Sequence, residues 1–334
     1  MLKLLLKIDR YSLAILASVV VASLLPASGI FALWLGWIVK AAIALLFFLH
    51  GAKLSRAAIL AGLTNWKLHV TVLLATFLLF PVLGLGISAL SALFLPGLVA
   101  TGFLFLTLLP STVQSSIAFT SIARGNVPAA VCAASFSNFA GIFVTPALTA
   151  LLLGGASGTG DTLASIEAIV MQLLLPFLAG HLSRPLTARF IERHKAVVSY
   201  VDRGSILLVV YAAFSAAVVE GLWKTIEGWQ LAAIIGLCGA MLAVVLGIVA
   251  WTAHRMGFDR PDRAAIIFCG SKKSLASGVP MAGVLFPAAM VGPLILPLMI
   301  FHQLQLLACA AIAQRMSAKV DPETQPREPA PTAT

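Results

Sequence analysis

Charge is what this chain has least of. Only 10% of its 334 residues are Asp, Glu, Lys or Arg, against 60% hydrophobic ones. A soluble domain carries about 25% charged residues, so the composition excludes one and reads as a polytopic membrane protein. Cysteine is scarce too. Cys132, Cys238, Cys269 and Cys309 all fall inside apolar runs, which makes them packing residues and rules out a disulfide framework. Catalytic signatures are missing: no His-Glu-x-x-His, Gly-x-Ser-x-Gly or Asp pair lies in the apolar runs, so no catalytic residue is assigned and the chain is not read as an enzyme. His50 and His181 sit at the ends of apolar runs, where solvated interface residues belong, and their spacing fits no metal motif. The net charge of +10 does not indicate nucleic acid, because the basic residues are spread over short loops rather than gathered into one patch.

What is present is a series of apolar runs of about 20 residues, the length that crosses a bilayer. They cover roughly 11–28, 33–51, 68–94, 98–123, 127–153, 163–183, 204–222, 229–252, 263–286 and 290–314. Met1 to Gly29, with Lys3, Lys7 and Arg10 before an apolar core, resembles a signal peptide, but the runs that follow favour an uncleaved first span. The tail, residues 317–334, is rich in Pro, Thr and Glu and is expected to be disordered.

The basic residues orient the spans. With an even number of spans, one side holds Lys3, Lys7, Arg10, Lys53, Arg56 and Lys67, then Arg124, then the group from Arg184 to Arg203. It also holds Arg255, Arg260 and Arg263, and finally Arg315, Lys319 and Arg327; the other side has only Lys224. Positive loops face the cytoplasm, so both termini are expected inside a cell membrane. Lys40, Lys272 and Lys273 alone remain within spans. Lys40, near Trp34 and Trp37, is within snorkelling reach of the outer interface; a cavity role is the alternative.

Five spans followed by five entering from the opposite side form an inverted repeat, residues 1–158 and 159–316. An echo supports it: Val127-Pro-Ala-Ala-Val131 follows Ser115 as Phe286-Pro-Ala-Ala-Met290 follows Ser274, with thirteen residues from serine to proline in each. On that register Gln114 lies opposite Lys273 and Thr112 opposite Ser271. The fourth span is interrupted by Pro110-Ser-Thr-Val-Gln-Ser-Ser116, and the ninth by Gly270-Ser-Lys-Lys-Ser274, which lacks the glycine spacing of a phosphate loop. A lysine at membrane depth costs roughly 2.5–3.5 kcal/mol on insertion scales, and irregular backbone survives there only inside protein or beside a watery cavity. Paired breaks expose helix ends, whose bare amides and carbonyls make ion and substrate sites near the midplane in many secondary transporters. The candidate site is therefore Ser111, Thr112, Gln114, Ser115 and Ser116 on the first break, and Ser271, Lys272, Lys273 and Ser274 on the second. Ser135 and Asn138 join them from one face of the fifth span. His302, Gln303, Tyr211, Gln172 and Glu167 are further core or cavity candidates, and His302 and Gln305 share a face suited to a bonded pair.

The stretches Leu109-Pro-Ser-Thr-Val-Gln-Ser-Ser116, Ala123-Arg-Gly-Asn-Val127 and Thr145-Pro-Ala-Leu148 resemble the bile acid:sodium symporter family (solute carrier family 10) over about residues 8–316. Phe47-Phe-Leu-His-Gly-Ala-Lys-Leu54 and Phe268-Cys-Gly-Ser-Lys-Lys-Ser274 resemble more narrowly its sodium/bile acid cotransporter 7 branch. The resemblance implies an all-α protein of ten transmembrane helices, with broken, crossing helices 4 and 9 in a core domain that moves against a panel domain by alternating access. In sodium-coupled members a Ser-Asn pair and a Glu and Gln hold the ions. Ser115 and Ser116 fall near the first pair, but Phe268 stands about where the acid belongs and Lys272 near the glutamine.

No carboxylate occurs between Arg263 and the end of the tenth span. A hard cation wants several oxygen ligands, usually with negative charge nearby. The expectation is that one lysine ammonium takes the role of a bound sodium ion, leaving transport sodium-independent or coupled to a proton that such a lysine can release; no metal or other cofactor is expected. The other use of these lysines is contact with an anionic substrate, with Lys273 toward the cavity; consecutive residues point about 100° apart, so the two can differ. The functional expectation is a secondary transporter of a small organic anion. The alternative is a membrane regulator of calcium homeostasis with the same fold and little transport.

Overall fold

The computed structural model describes residues 10–53, 65–154 and 170–318. Lys3, Lys7, Glu167 and the tail beyond Ala318 lie outside the described residues. Within them the chain is helical, and no strand occurs. In order come α1 (Arg10–Leu24), α2 (Gly29–Lys53), α3 (Trp66–Ser91), α4 (Gly97–Leu108), α5 (Gln114–Ile122) and α6 (Val127–Leu153). Then follow α7 (Leu175–Arg193), entered through a π turn at Val170–Leu174, α8 (Lys195–Val219) and α9 (Gly228–Arg255). The last are α10 (Arg260–Gly270), α11 (Leu275–Leu285) and α12 (Ala288–Ala318).

Six of these, α2, α3, α6, α8, α9 and α12, are by length and composition long and apolar enough to cross a membrane. Their outer faces are oily: Phe31, Leu33, Trp34 and Trp37 on α2 are exposed, as a lipid-facing surface requires. Lys40 is exposed there too, its ammonium 4.9 Å from the Trp37 ring centre, the snorkelling arrangement rather than a cavity one. All four cysteines are free and buried.

Local sequence sets where the helices start. Asn126 caps α6 by accepting the Ala129 N–H at 3.0 Å, with Pro128 in the first turn. Asp259 does the same for α10 through the Asp262 N–H, with Pro261 behind it. Each cap satisfies one of the amides a helix start leaves bare. Asp262 then accepts from both Asn126 and Asn65, tying the starts of α3, α6 and α10 together.

The helices pack in two groups. One contains α1, α2, α7 and α8; the other contains α3 to α6 and α9 to α12, with α8 lying against α11 and α12. Within the first group α2 and α7 approach to backbone contact through Gly51 and Gly180. A Cβ on Gly51 would overlap the Phe177 carbonyl, and one on Gly180 the Phe48 carbonyl.

Candidate functional site

The fourth apolar run stops being helical at Leu109 because of Pro110. Proline lacks an N–H and holds the preceding residue extended, and Leu109 has φ −77° and ψ 155°. The Pro110 ring fits against α6 at Gly141, where a Cβ would come within 2.7 Å of it. The second break, Ser271 to Ser274, contains no proline. Its backbone is instead held by Gln305 of α12, whose side-chain amide accepts from the Lys273 N–H and donates to the Lys273 carbonyl, both at 2.9 Å.

Five carbonyls at the first break, those of Thr107 to Ser111, find donors. Lys273 Nζ donates to the Thr107 and Leu109 carbonyls at 2.7 Å, and Thr145 Oγ1 to that of Leu108 at 2.7 Å. The Ser274 N–H donates to the Pro110 carbonyl, and Asn138 Nδ2 to that of Ser111. At the second break Ser116 Oγ donates to the Phe268 carbonyl at 2.8 Å and Ser111 Oγ to that of Cys269 at 2.5 Å. Ser277 Oγ donates to Asn138 Oδ1, so Asn138 bridges both broken helices from α6. The two interruptions therefore meet, each closing the helix end of the other.

Lys272 and Lys273 are both fully buried and point to opposite sides of this junction. The third acceptor of the Lys273 ammonium is the Thr76 carbonyl, again at 2.7 Å. That carbonyl is open because α3 contains a π turn, Ala75–Leu79: the Phe80 N–H goes to Ala75, and the next residue, Pro81, has none to give. Three carbonyls from two helices thus match the three N–H groups of one ammonium, which also sits 4.2 Å from the Phe80 ring centre. Lys272 instead donates to Ser115 Oγ at 3.2 Å and lies 4.4 Å from the Phe119 ring centre.

Beside the junction, between the two groups of helices, is a cavity of about 350 Å³. The second group contributes Thr112, Gln114, Ser115, Ser135, Asn138 and Ser274, together with Ser277 and His302. The first contributes Tyr11, Phe47, His50, Lys53, Asp202 and Arg203. Lys53 is ion-paired with Asp202, and the Arg203 guanidinium stacks over Tyr11 at 5.4 Å. Phe139, Phe177 and Met281 supply apolar wall. Lys53, Gln114 and Asp202 also border a second space of about 370 Å³ toward Arg184 and Lys195.

The residues singled out from sequence separate into two sets. Ser111, Ser116, Ser271, Lys272 and Lys273 are buried in the junction; Thr112, Gln114, Ser115, Ser135, Asn138, Ser274 and His302 face the cavity. Lys273, expected toward the cavity, runs away from it to the α3 and α4 carbonyls, because three fixed acceptors hold an ammonium better than an open wall. Gln114 lies exposed on the cavity wall. Tyr211 gives its hydroxyl to the Leu25 carbonyl, and neither it, Gln172 nor Gln303 lines the cavity. His302 and Gln305 do bond, at 2.8 Å. His50, expected at a solvated interface, is half-buried in the cavity wall. Sequence reasoning missed the charged wall of Lys53, Asp202 and Arg203, which looked like loop-flanking orientation residues, and the clamp made by Gln305. The acid at Asp202 was the available signal, being with Glu192 one of two carboxylates among that run of arginines and lysines.

Helices that stop short within apolar runs and exchange their end contacts beside a cavity suit a polytopic membrane transporter. The model of the SBF-like CPA transporter family matches residues 9–318, and the chain belongs to that family. It is 46% identical to the putative symporter YfeH of Escherichia coli K12 and 53% identical to an uncharacterized protein of Pseudomonas aeruginosa, each over 94% of both chains. Sodium/bile acid cotransporter 7 of Rattus norvegicus is 29% identical over 80% of this chain and 79% of its own length. The likeness to bile acid:sodium symporters carried by the break motifs is therefore shown over most of the chain.

Proposed function

We propose that this protein is a secondary active transporter that moves a small organic anion by alternating access, with a lysine ammonium in place of a captured sodium ion. The observation that carries the reading is Lys273: a fully buried cation with three carbonyl oxygens at 2.7 Å, closing the bare end of a broken helix. A hard metal ion would ask for the same carbonyl oxygens. Here the cation is covalently attached and needs no capture from solution, so transport proceeds without sodium.

The substrate reading rests on the cavity wall. Lys53, Arg203, His50 and His302 face Asp202 as the single acid, over an apolar wall rich in phenylalanine. Such a surface suits an anionic head on an apolar body, in keeping with a relative named for bile acid cotransport. Ten spans arranged as two inverted five-helix repeats, 1–158 and 159–316, fit the paired breaks. The helices α1, α2, α7 and α8 then form the panel and the others the core, with the cavity between them. Lys53, Arg184, Lys195 and Arg203 lie at the basic, cytoplasmic side of a cell membrane, so this is an inward-facing arrangement with both termini inside.

The test is uptake of labelled organic anions, a bile acid among them, into proteoliposomes with sodium or potassium outside. Saturable uptake of equal rate in both salts is expected. Strict dependence on sodium overturns the tethered-cation reading, and no saturable flux for any anion overturns the transporter one.

A further inference from the structure

The two lysines are neighbours in sequence and differ in what holds them. All three Lys273 N–H groups have a carbonyl acceptor at 2.7 Å. Lys272, equally buried, has one hydroxyl at 3.2 Å and the faces of Phe119 and Phe268, at 4.4 and 6.0 Å. A saturated ammonium is stable as a cation; one resting on a hydroxyl and two rings gains far less from its charge. Among the described residues no acidic side chain compensates. The sequence has no Asp or Glu between Asp9 and Asp161, or from Asp262 to Asp321, so α3 to α6, α11 and α12 carry none. The titratable groups facing Lys272 are the thiols of Cys269 on α10 and Cys309 on α12, both buried.

Ser115, the single polar partner of Lys272 among the described residues, is also its way out. Ser115 lines the cavity. Its hydroxyl accepts from Lys272 and donates to Thr112 Oγ1 at 2.9 Å, and Thr112 lines the cavity as well. Ser116 has committed its own proton to the Phe268 carbonyl, so Thr112 donates onward to Ser116 at 3.1 Å. The result is a directed chain from ammonium through three hydroxyls to a carbonyl, touching the cavity at its first two oxygens. One hydroxyl separates a poorly held buried ammonium from the space where substrate binds.

We infer that Lys272 is the proton-carrying group of this transporter, loaded and unloaded through Ser115, while Lys273 keeps its charge throughout. The inference rests on the transporter reading and names its coupling ion. The step balances simply: the amine lone pair takes a proton from a hydronium ion in the cavity, leaving water, and the ammonium returns it to water on the other side. An anion in the cavity favours the charged amine, so substrate and proton bind together and travel in the same direction.

Lys272–Lys273 is the one Lys–Lys peptide bond in the chain. Labelling lysine uniformly with ¹³C and ¹⁵N therefore singles out this pair by its carbonyl-to-amide correlation, extended along the labelled side chains to each Nζ, in the full-length protein in lipid vesicles, without a variant. Over a pH titration the Lys272 Nζ resonance is expected to pass from the ammonium to the amine position while that of Lys273 stays at the ammonium position. Either a Lys272 resonance fixed as ammonium, or a moving Lys273, overturns the inference. As a second readout, Lys272→Arg substitutes a cation that cannot be deprotonated, and its anion uptake should lose the acceleration that an inward proton gradient gives the wild type. Full acceleration in that variant equally refutes the assignment. Sodium-dependent uptake alongside a titrating Lys272 would sink the tethered-cation reading and leave this one standing.

Discussion

Replacing Lys273 by alanine takes the donors from the carbonyls of Thr76, Thr107 and Leu109 at once. A buried acceptor left unpaired costs about 1–3 kcal/mol, so three give roughly 3–9 kcal/mol before any relief. Relief comes from no longer holding an ammonium away from water, a penalty of several kcal/mol in real proteins. The balance resembles removal of one member of a buried ion pair, about 3–5 kcal/mol. For a chain of this length that lowers the unfolding midpoint by about 4–7 °C. The alanine also vacates the space beside those oxygens, which a sodium ion can then enter. Detergent-solubilised wild type and variant are compared by thermal unfolding in sodium, potassium and N-methylglucamine chloride. Sodium at about 100 times its dissociation constant would restore about 2.7 kcal/mol to the variant and nothing to the wild type. Lys273→Met, which fills the space with apolar atoms, should be destabilised and show no rescue. A wild type stabilised by sodium, or an alanine variant that melts unchanged, refutes the idea that Lys273 holds the place of a metal cation.

Other substitutions test separate parts of the site. Arg203→Gln removes a cavity cation stacked on Tyr11; losing one charged hydrogen bond, about 1.5–3 kcal/mol, should weaken anion affinity roughly 10- to 100-fold in a direct binding titration. Thr145→Val keeps the side-chain volume but strands the Leu108 carbonyl, so it should cost about 1–3 kcal/mol, read as a lower unfolding midpoint. Gly180→Val forces a side chain into the Phe48 carbonyl where α2 meets α7, and should destabilise the fold by at least about 1–3 kcal/mol while Gly204→Val, with open space around it, does not. Asn138→Asp sets a carboxylate oxygen against the Ser111 carbonyl that Asn138 now donates to, and should reduce uptake far more than it lowers the midpoint.

The positions of the breaks could be read directly from the chain, because proline and clustered small polar residues leave local signatures. Pro110 biases Leu109 toward extended backbone, and the small polar residues after it let the break persist where Pro146, Pro280, Pro293 and Pro297 stay inside helices; Asn126, Asp259 and Ser274 cap the helices they precede. The membrane class was equally plain, since few charges among so many apolar residues admit no water-soluble core. The partners across the breaks were not legible. That Lys273 reaches a carbonyl of Thr76 depends on a π turn nearly 200 residues earlier, and that Gln305 clamps its backbone depends on α12 passing at the right height. Two adjacent lysines look alike in a sequence and came to differ because one met three fixed carbonyls and the other met two rings and a serine.

Sequence alone determined that the chain lives in a bilayer, where its spans are interrupted, and that phenylalanine stands where an acid was expected, with lysine near the expected glutamine. These are local facts, set by hydropathy, by the missing N–H of proline and by residue identity at a motif. Tertiary structure decided which carbonyls those lysines satisfy, which serines face the cavity, and that Lys53, Asp202 and Arg203 form its charged wall. Those depend on distances between helices far apart in the chain, which no local pattern of residues encodes.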